Sequence, residues 1–523
     1  MKVLKFTIFF SFFKKYCEFN RILFFSMLFY HMKTLFKNCL VYDGSGAPPH
    51  SGDVLVDGDR ITAIAPALSG GDRIIDGAGL ALAPGFIDAH GHSDISILAA
   101  PEATGKISQG ITTEITGNCG LSPFPVTDHN RDHLNRLYAN YGVRIDWNDF
   151  AGYAAAVERR RPAINIMPLC GHNTLRAAVN GYQDKPPPVE QIAALLREQL
   201  RQGAAGFSTG LLYTPGCFST PDEITALLNV LSEFDRPYTT HLRSEGNQLL
   251  EALTEAVESC RSSGQKHLHV SHFKASGQAN WHKLSDAIRL LAKSGLRITA
   301  DRYPYTESMT QLGVILPDTL AYMTNEELSE YLNDPDHFRE TASRLRQFPP
   351  ERWQTCRLIT TTAPGYQTRN GQIFAEFPDP PSACAEILRD DPAGAMAAFR
   401  GMSPDNLRQI LKLPYLMCGT DESVRPVDYR FGVSHPRGFG SFPIFFGYYK
   451  LEEAIRRVTS LPADTFGITR RGRIECGYYA DLVLFDQTAY RARADFANPH
   501  RLTEGIKLVL VNGAEHAGRV LSR

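Results

Sequence analysis

Hydrophobic and polar positions change rhythm twice along this chain. From Leu35 the pattern is short and β-like: LFKNCLVYDG, then GDVLVDGDRITAIAP, then GDRIIDGAGLALAPG. DVLVDGDRITAI alternates with period two, and the Asp-Gly pair at 57–58 signals a hairpin. Near the C-terminus, GRIECGYYADLVLFD (472–486) and GIKLVLVNG (505–513) have the same texture. These two ends predict one small β-sandwich domain built from 32–84 and 470–523.

Between them, over 85–469, apolar strand-like runs alternate with helical patterns. The strands are expected at 85–90, 110–116, 163–170, 204–210, 237–243, 266–273, 297–305 and 414–421. Helical periodicity fills intervals such as 189–203, 247–264 and 281–295, each closing on a glycine, as helix C-termini often do. Eight apolar strands alternating with helices predict an α/β fold with a parallel sheet, most simply a closed (β/α)8 barrel of the TIM type. An open doubly wound sheet is the rival. No glycine-rich dinucleotide fingerprint follows the first strand, which counts against it. The 316–413 interval, between strands seven and eight, is too long for a connection and is expected to be a lid insertion over the site.

The first 31 residues do not fit this scheme. Two Phe-rich runs are interrupted by KKYCEFNR (14–21), and neither reaches the roughly 20 apolar residues a membrane span needs. No signal-peptide cleavage site is visible. Residues 1–31 are expected to lie outside the fold, with domain structure starting at Met32; a membrane-associating segment is the alternative.

Composition narrows the function classes. The chain has 523 residues, a net charge of −1 and 21% charged residues, so no polyanion-binding surface is indicated and nucleic acid is not expected as a partner. Ten cysteines occur without a CxxC pair or regular spacing, which reads as reduced thiols in a cytoplasmic protein.

The ends of the expected barrel strands carry the chemistry, because this fold builds its sites from strand C-termini and the loops after them. The first ends in DAHGHSD, with His90 and His92, and the second is followed by Cys119 in GNCG. The fifth ends at His241, the sixth at His272 and Lys274, the seventh at Tyr303 and Tyr305, and the eighth at Asp421. Imidazoles, a thiolate and a carboxylate suit zinc. His90 and His92, spaced i and i+2 on a strand, would face the same side. Each residue alone has a blander reading: a packed histidine, a small hydrophobic cysteine, or Asp421 capping a following helix. Their fall on successive strand ends is what predicts a metal site.

Here the residues resemble a known family. APGFIDAHGHSD (83–94) resembles the first-strand signature of the amidohydrolase superfamily. GNCGLSPFP, THLRSEG (240–246), VSHFKASG (270–277), DRYPYTES (301–308) and HPRGFGSFP (435–443) are similar to segments of the N-acyl-D-amino-acid deacylases, or D-aminoacylases. The resemblance spans roughly 36–520. It implies one tight zinc on Cys119, His241 and His272, and a second, weaker position at His90 and His92 with Asp421 beside it. It also implies Asp421 as general base and acid, and Lys274, Tyr303 and Arg437 as the grip on a substrate carboxylate. The implied reaction is hydrolysis of a small-molecule N-acyl-D-amino acid to a carboxylate and a free D-amino acid. His172 and Arg176 in GHNTLR match a further family segment, as scaffold or site. Ser308 and Met309 replace a Gly-Ser pair after YPY, and a longer loop separates Asp421 from HPR, so side-chain preference is left open. A cyclic amidohydrolase of the hydantoinase or dihydroorotase type is the enzymatic alternative, and a metal-free binding scaffold the non-enzymatic one.

Overall fold

Strands buried on both faces need partners that cover every edge, and eight runs of this chain meet that demand by closing on one another. The computed structural model describes residues 32–316, 320, 323 and 325–523; the expectation for 1–31 lies outside the described residues. The barrel strands are Phe86–Asp88, Ile111–Thr116, Asn165–Pro168 continuing into Cys170–Gly171, Phe207–Gly210, Tyr238–His241, His267–Val270, Arg297–Asp301 and Leu416–Met417. Neighbours pair in parallel register in chain order. The ring closes where Ala89 N–H donates to the Cys418 carbonyl at 3.1 Å and Asp421 N–H to the His90 carbonyl at 2.7 Å. All eight expected strands are present, so the fold is the (β/α)8 barrel.

The helices form where the apolar periodicity placed them. Val189–Gln202 ends on Gly203, and Leu249–Ser263 ends on Gly264 in the left-handed conformation. The third begins as a 3-10 turn at Gln278–Lys283 and is α-helical only over Leu284–Ala292, stopping before Gly295. Local signals also hold: Thr220 caps Pro221–Ser232, accepting from Glu223 N–H at 3.3 Å, with proline at the helix start.

The chain ends form one seven-stranded sheet. Five strands within Lys33–Pro84 join Leu482–Phe485 and Ile506–Leu510 around a separate core that includes Phe36, Val54, Leu82, Leu484 and Leu510. Its hairpin turns at Gly58-Asp59, one residue later than the Asp-Gly signal, because Asp57 pairs with Arg60. Gly85 N–H donates to the Asp481 carbonyl at 2.7 Å, joining this sheet to the first barrel strand.

The insertion is more than a set of helices. Glu307–Gln311, Cys356–Thr360 and Met396–Arg400 make a three-stranded antiparallel sheet, and its core joins Leu312 and Ile315 to Trp353, Phe374 and Leu388. It therefore starts at Glu307, ahead of 316, directly after the seventh barrel strand. Among the described residues no helix is long and apolar enough to cross a membrane.

Candidate metal centre

Three residues of the cluster share an unusual backbone. Cys119, His272 and Asp421 have φ of 53°, 34° and 51°, the left-handed region that residues with a side chain rarely adopt. Each sits just past a strand, where the turn swings its side chain over the barrel mouth, and such strain concentrates at functional sites. Asp421 caps no helix: the next one among the described residues starts at Arg437. Its neighbours leave no room for substitution. A Cβ on Gly120, beside the cysteine, would fall 2.2 Å from Asn173 Oδ1, and one on Gly91, between the two histidines, 2.0 Å from Glu114 Oε1.

The sulfur and imidazoles converge. Cys119 Sγ lies 3.4 Å from His90 Nε2 and 3.5 Å from His272 Nε2. Asp421 Oδ1 is 3.1 Å from His92 Nε2 and 3.5 Å from His90 Nε2. Two groups of potential ligands result: His90, His92, Cys119 and Asp421, and Cys119, His241 and His272, each with its ligand atoms within 4.8 Å of one another. The cysteine belongs to both. His90 and His92 reach this place from the loop after Asp88, where the strand has already ended, so the i, i+2 strand argument does not apply to them.

The electrostatics fit a cation. Burial pushes the Cys119 thiol up, but His90 and His272 outweigh it and hold it well below its ordinary value. Burial likewise opposes ionisation of Asp421, yet Arg437 and the hydrogen bond from His92 keep it well below the carboxylate range. Both nitrogens of buried His241 lack a hydrogen-bond partner, an orphaned polar group that a metal ligand would explain. Thiolate, carboxylate and imidazole together fit zinc.

Behind the ligands lies a layer the sequence reading missed. Asp301 Oδ2 accepts from His90 Nδ1 at 3.0 Å and from His269 Nε2 at 2.9 Å. Thr299 Oγ1 then links His269 Nδ1 at 2.9 Å to His267 Nε2 at 2.8 Å. This chain holds a His90 proton on Nδ1, so that Nε2 would be the nitrogen offered to a metal. Glu245 stands in the same relation to His272, at 2.9 Å from Nδ1. Buried Lys106 donates to Asp88 and Thr420 at 2.8 Å each, tying the His90 loop to the Asp421 loop. Glu245 and Asp301 each share a motif with a residue already singled out, THLRSEG and DRYPYTES. A carboxylate four residues past a strand-end histidine was the available signal for Glu245, and a carboxylate ending its own barrel strand the signal for Asp301.

The three expected substrate-grip residues lie beside the metal groups. Arg437 Nη1 donates to Asp421 Oδ2 at 2.8 Å, and its guanidinium stacks 4.7 Å over the Tyr303 ring. The Tyr303 hydroxyl is buried without a partner. Burial would raise its pKa, but Arg302, Lys274 and Arg437 outweigh that and lower it. Lys274 Nζ donates to Glu245 and to the His272 carbonyl. Tyr213 was also missed: its ring meets His241 edge-on at 4.9 Å. His172 and Arg176 are buried against Glu223, at 2.8 and 3.3 Å, and Arg176 holds the Pro215 carbonyl at 3.0 Å. They brace the loop that carries Tyr213.

A model of the amidohydrolase family matches residues 73–337 and 387–515. The chain belongs to the amidohydrolase family. This amidohydrolase is 32% identical over 505 residues to the D-aminoacylase of Alcaligenes xylosoxydans xylosoxydans, covering 92% of this chain and 96% of that protein. It is equally identical, over 512 residues, to that organism's N-acyl-D-glutamate deacylase. Among solved structures it resembles the N-acyl-D-glutamate deacylase of Bordetella bronchiseptica, complexed with zinc and a phosphonate mimic of the tetrahedral intermediate. The TM-score is 0.78 at 29% identity, over 94% of this chain and all of the other. A D-aminoacylase structure gives 0.76 at 30% identity over the same shares. The motif resemblance to the N-acyl-D-amino-acid deacylases thus extends to the whole fold.

Proposed function

We propose that this amidohydrolase cleaves the amide bond of N-acyl-D-amino acids, releasing a carboxylate and a free D-amino acid. The observation that carries the reading is the meeting of two ligand groups on Cys119 with an ionised Asp421 and a buried arginine–tyrosine pair. Cys119, His241 and His272 would hold the tight zinc, and His90 and His92, with Asp421, a second, weaker position. Zinc there supplies a Lewis acid that lowers the pKa of water at the site and polarises the acyl oxygen.

The protein's own groups complete the reaction. Arg437 holds Oδ2 of Asp421, and Oδ1, 3.1 Å from His92 Nε2, faces the metal groups and is the oxygen placed to take a proton from water as it attacks the acyl carbon. When the C–N bond breaks, the same oxygen returns that proton to the leaving amine. Arg437, Tyr303 and Lys274 offer donors to the substrate α-carboxylate, the guanidinium by paired hydrogen bonds. The insertion, whose first strand Glu307–Gln311 follows the seventh barrel strand, would close the mouth and exclude water. Preference for the D configuration follows the similarity to the deacylases. Ten cysteines without paired spacing support work in the cytoplasm.

The test is turnover of matched N-acetyl-D- and N-acetyl-L-amino acid panels, with hydantoins alongside, by zinc-loaded protein. Hydrolysis of the D series alone supports the reading. Cleavage of cyclic amides and not of the linear series would overturn it in favour of the hydantoinase-like alternative.

A further inference from the structure

We infer that Glu245 is a positioning residue that couples metal binding to substrate binding, an inference that rests on the reading above for its substrate arm. One carboxylate serves two partners belonging to different tasks. Its Oε1 lies 2.9 Å from His272 Nδ1 and also accepts from Lys274 Nζ, while Oε2 is 3.7 Å from His241 Nε2. Glu245 therefore touches both histidines of the Cys119, His241, His272 group and the lysine expected at the substrate carboxylate.

The tautomer follows from geometry. His272 directs Nε2 at Cys119 Sγ, 3.5 Å away. To offer a lone pair there, its ring proton must sit on Nδ1, and that proton needs an acceptor. Lys274 Nζ is also within hydrogen-bond distance of Nδ1, at 2.9 Å, but an ammonium only donates, so with the proton on Nδ1 the lysine directs its hydrogens to Glu245 and the His272 carbonyl. Glu245 is, and its charge also offsets the ammonium placed beside the ring. The side chains of Glu245 and Lys274 are 11% and 6% exposed, so water does little to screen the pair. The Glu245 carbonyl accepts from Ser276 N–H at 2.7 Å, fixing its loop against the segment that carries both His272 and Lys274.

Without the carboxylate, His272 loses its proton acceptor and Lys274 its counter-charge at once. Loss of a carboxylate behind a histidine ligand costs metal affinity about 10- to 100-fold. Loss of the lysine alone leaves the His272–Glu245 bond intact.

The experiment compares wild type with Glu245→Gln, Glu245→Asp and Lys274→Ala, reading zinc affinity by competition with a chromophoric chelator. KM and kcat on an N-acetyl-D-amino acid are then read at saturating zinc. Glu245→Gln should bind zinc about 10- to 100-fold more weakly and show a raised KM even when loaded. Lys274→Ala should raise KM with zinc affinity unchanged, and Glu245→Asp should restore part of the affinity. Wild-type affinity in Glu245→Gln, or equal zinc loss in Lys274→Ala, would overturn the inference. Thermal melting identifies a variant that does not fold; the ranking of the aspartate and lysine variants then decides. If wild type hydrolyses no N-acyl-D-amino acid, the functional reading falls while the zinc ranking still judges Glu245.

Discussion

Arg437 and Asp421 form a buried ion pair, Nη1 to Oδ2 at 2.8 Å, so the residue expected to grip a substrate carboxylate already holds a protein carboxylate. The guanidinium has donors for both, and its Nε makes no hydrogen bond, with Glu422 Oε2 3.9 Å away. Arg437 thereby orients Asp421, the proposed base, and keeps donors for the proposed substrate carboxylate.

Replacing Arg437 with methionine should damage both roles. A hydrogen bond to a buried charge contributes about 1.5–3 kcal/mol, so kcat/KM should fall about 10- to 150-fold. The loss should appear in kcat as well as KM. A change in KM alone would confine Arg437 to substrate binding.

Cys119 belongs to both ligand groups, and His241 to one. Cys119→Ala should therefore bring zinc content close to zero, whereas His241→Ala should keep metal at the His90, His92, Asp421 group under zinc excess. Metal analysis of both variants, equilibrated against excess zinc, checks this. Full zinc in Cys119→Ala would remove the sulfur from the site.

His267 supplies a pH dependence of stability. Burial, then His269 and Arg297, push its pKa down to about 3, against 6.5 ordinarily. The unfolded chain thus binds more protons between those values, and stability falls as pH drops from about 6.5 towards 3. The slope is at most about 1.4 kcal/mol per pH unit. His267→Gln should lose less melting temperature between pH 7 and pH 5 than wild type. Parallel curves would show that His267 is not the titrating group.

The insertion has a hydrophobic core of its own around Phe374, which is fully buried against Trp353 and Phe377. Phe374→Ala should cost that unit about 3–5 kcal/mol. With the barrel's ligands untouched, zinc content should stay at the wild-type level while KM rises. Loss of zinc in this variant would show that the insertion supports the metal groups directly.

The sequence by itself determined the strands, the β-rich ends and the residue types at the strand termini. Period-two alternation, buried apolar runs and glycine stops are local, and a parallel barrel follows once eight such runs alternate with helices. The histidines, Cys119 and Asp421 stood out because they recur at the ends of those runs. Only the tertiary structure decided which atoms meet. His92 and Asp421 are 329 positions apart and His90 and Asp301 are 211 apart, so their contacts depend on the register of every strand between and on where the ring closes. The sharing of Cys119 and the carboxylates behind the ligands come from the same source. Glu245 and Asp301 look like ordinary polar residues in the chain. They become proton acceptors for the candidate ligands His272 and His90 because strand register and the turns at the barrel mouth bring separate strand ends within hydrogen-bond distance.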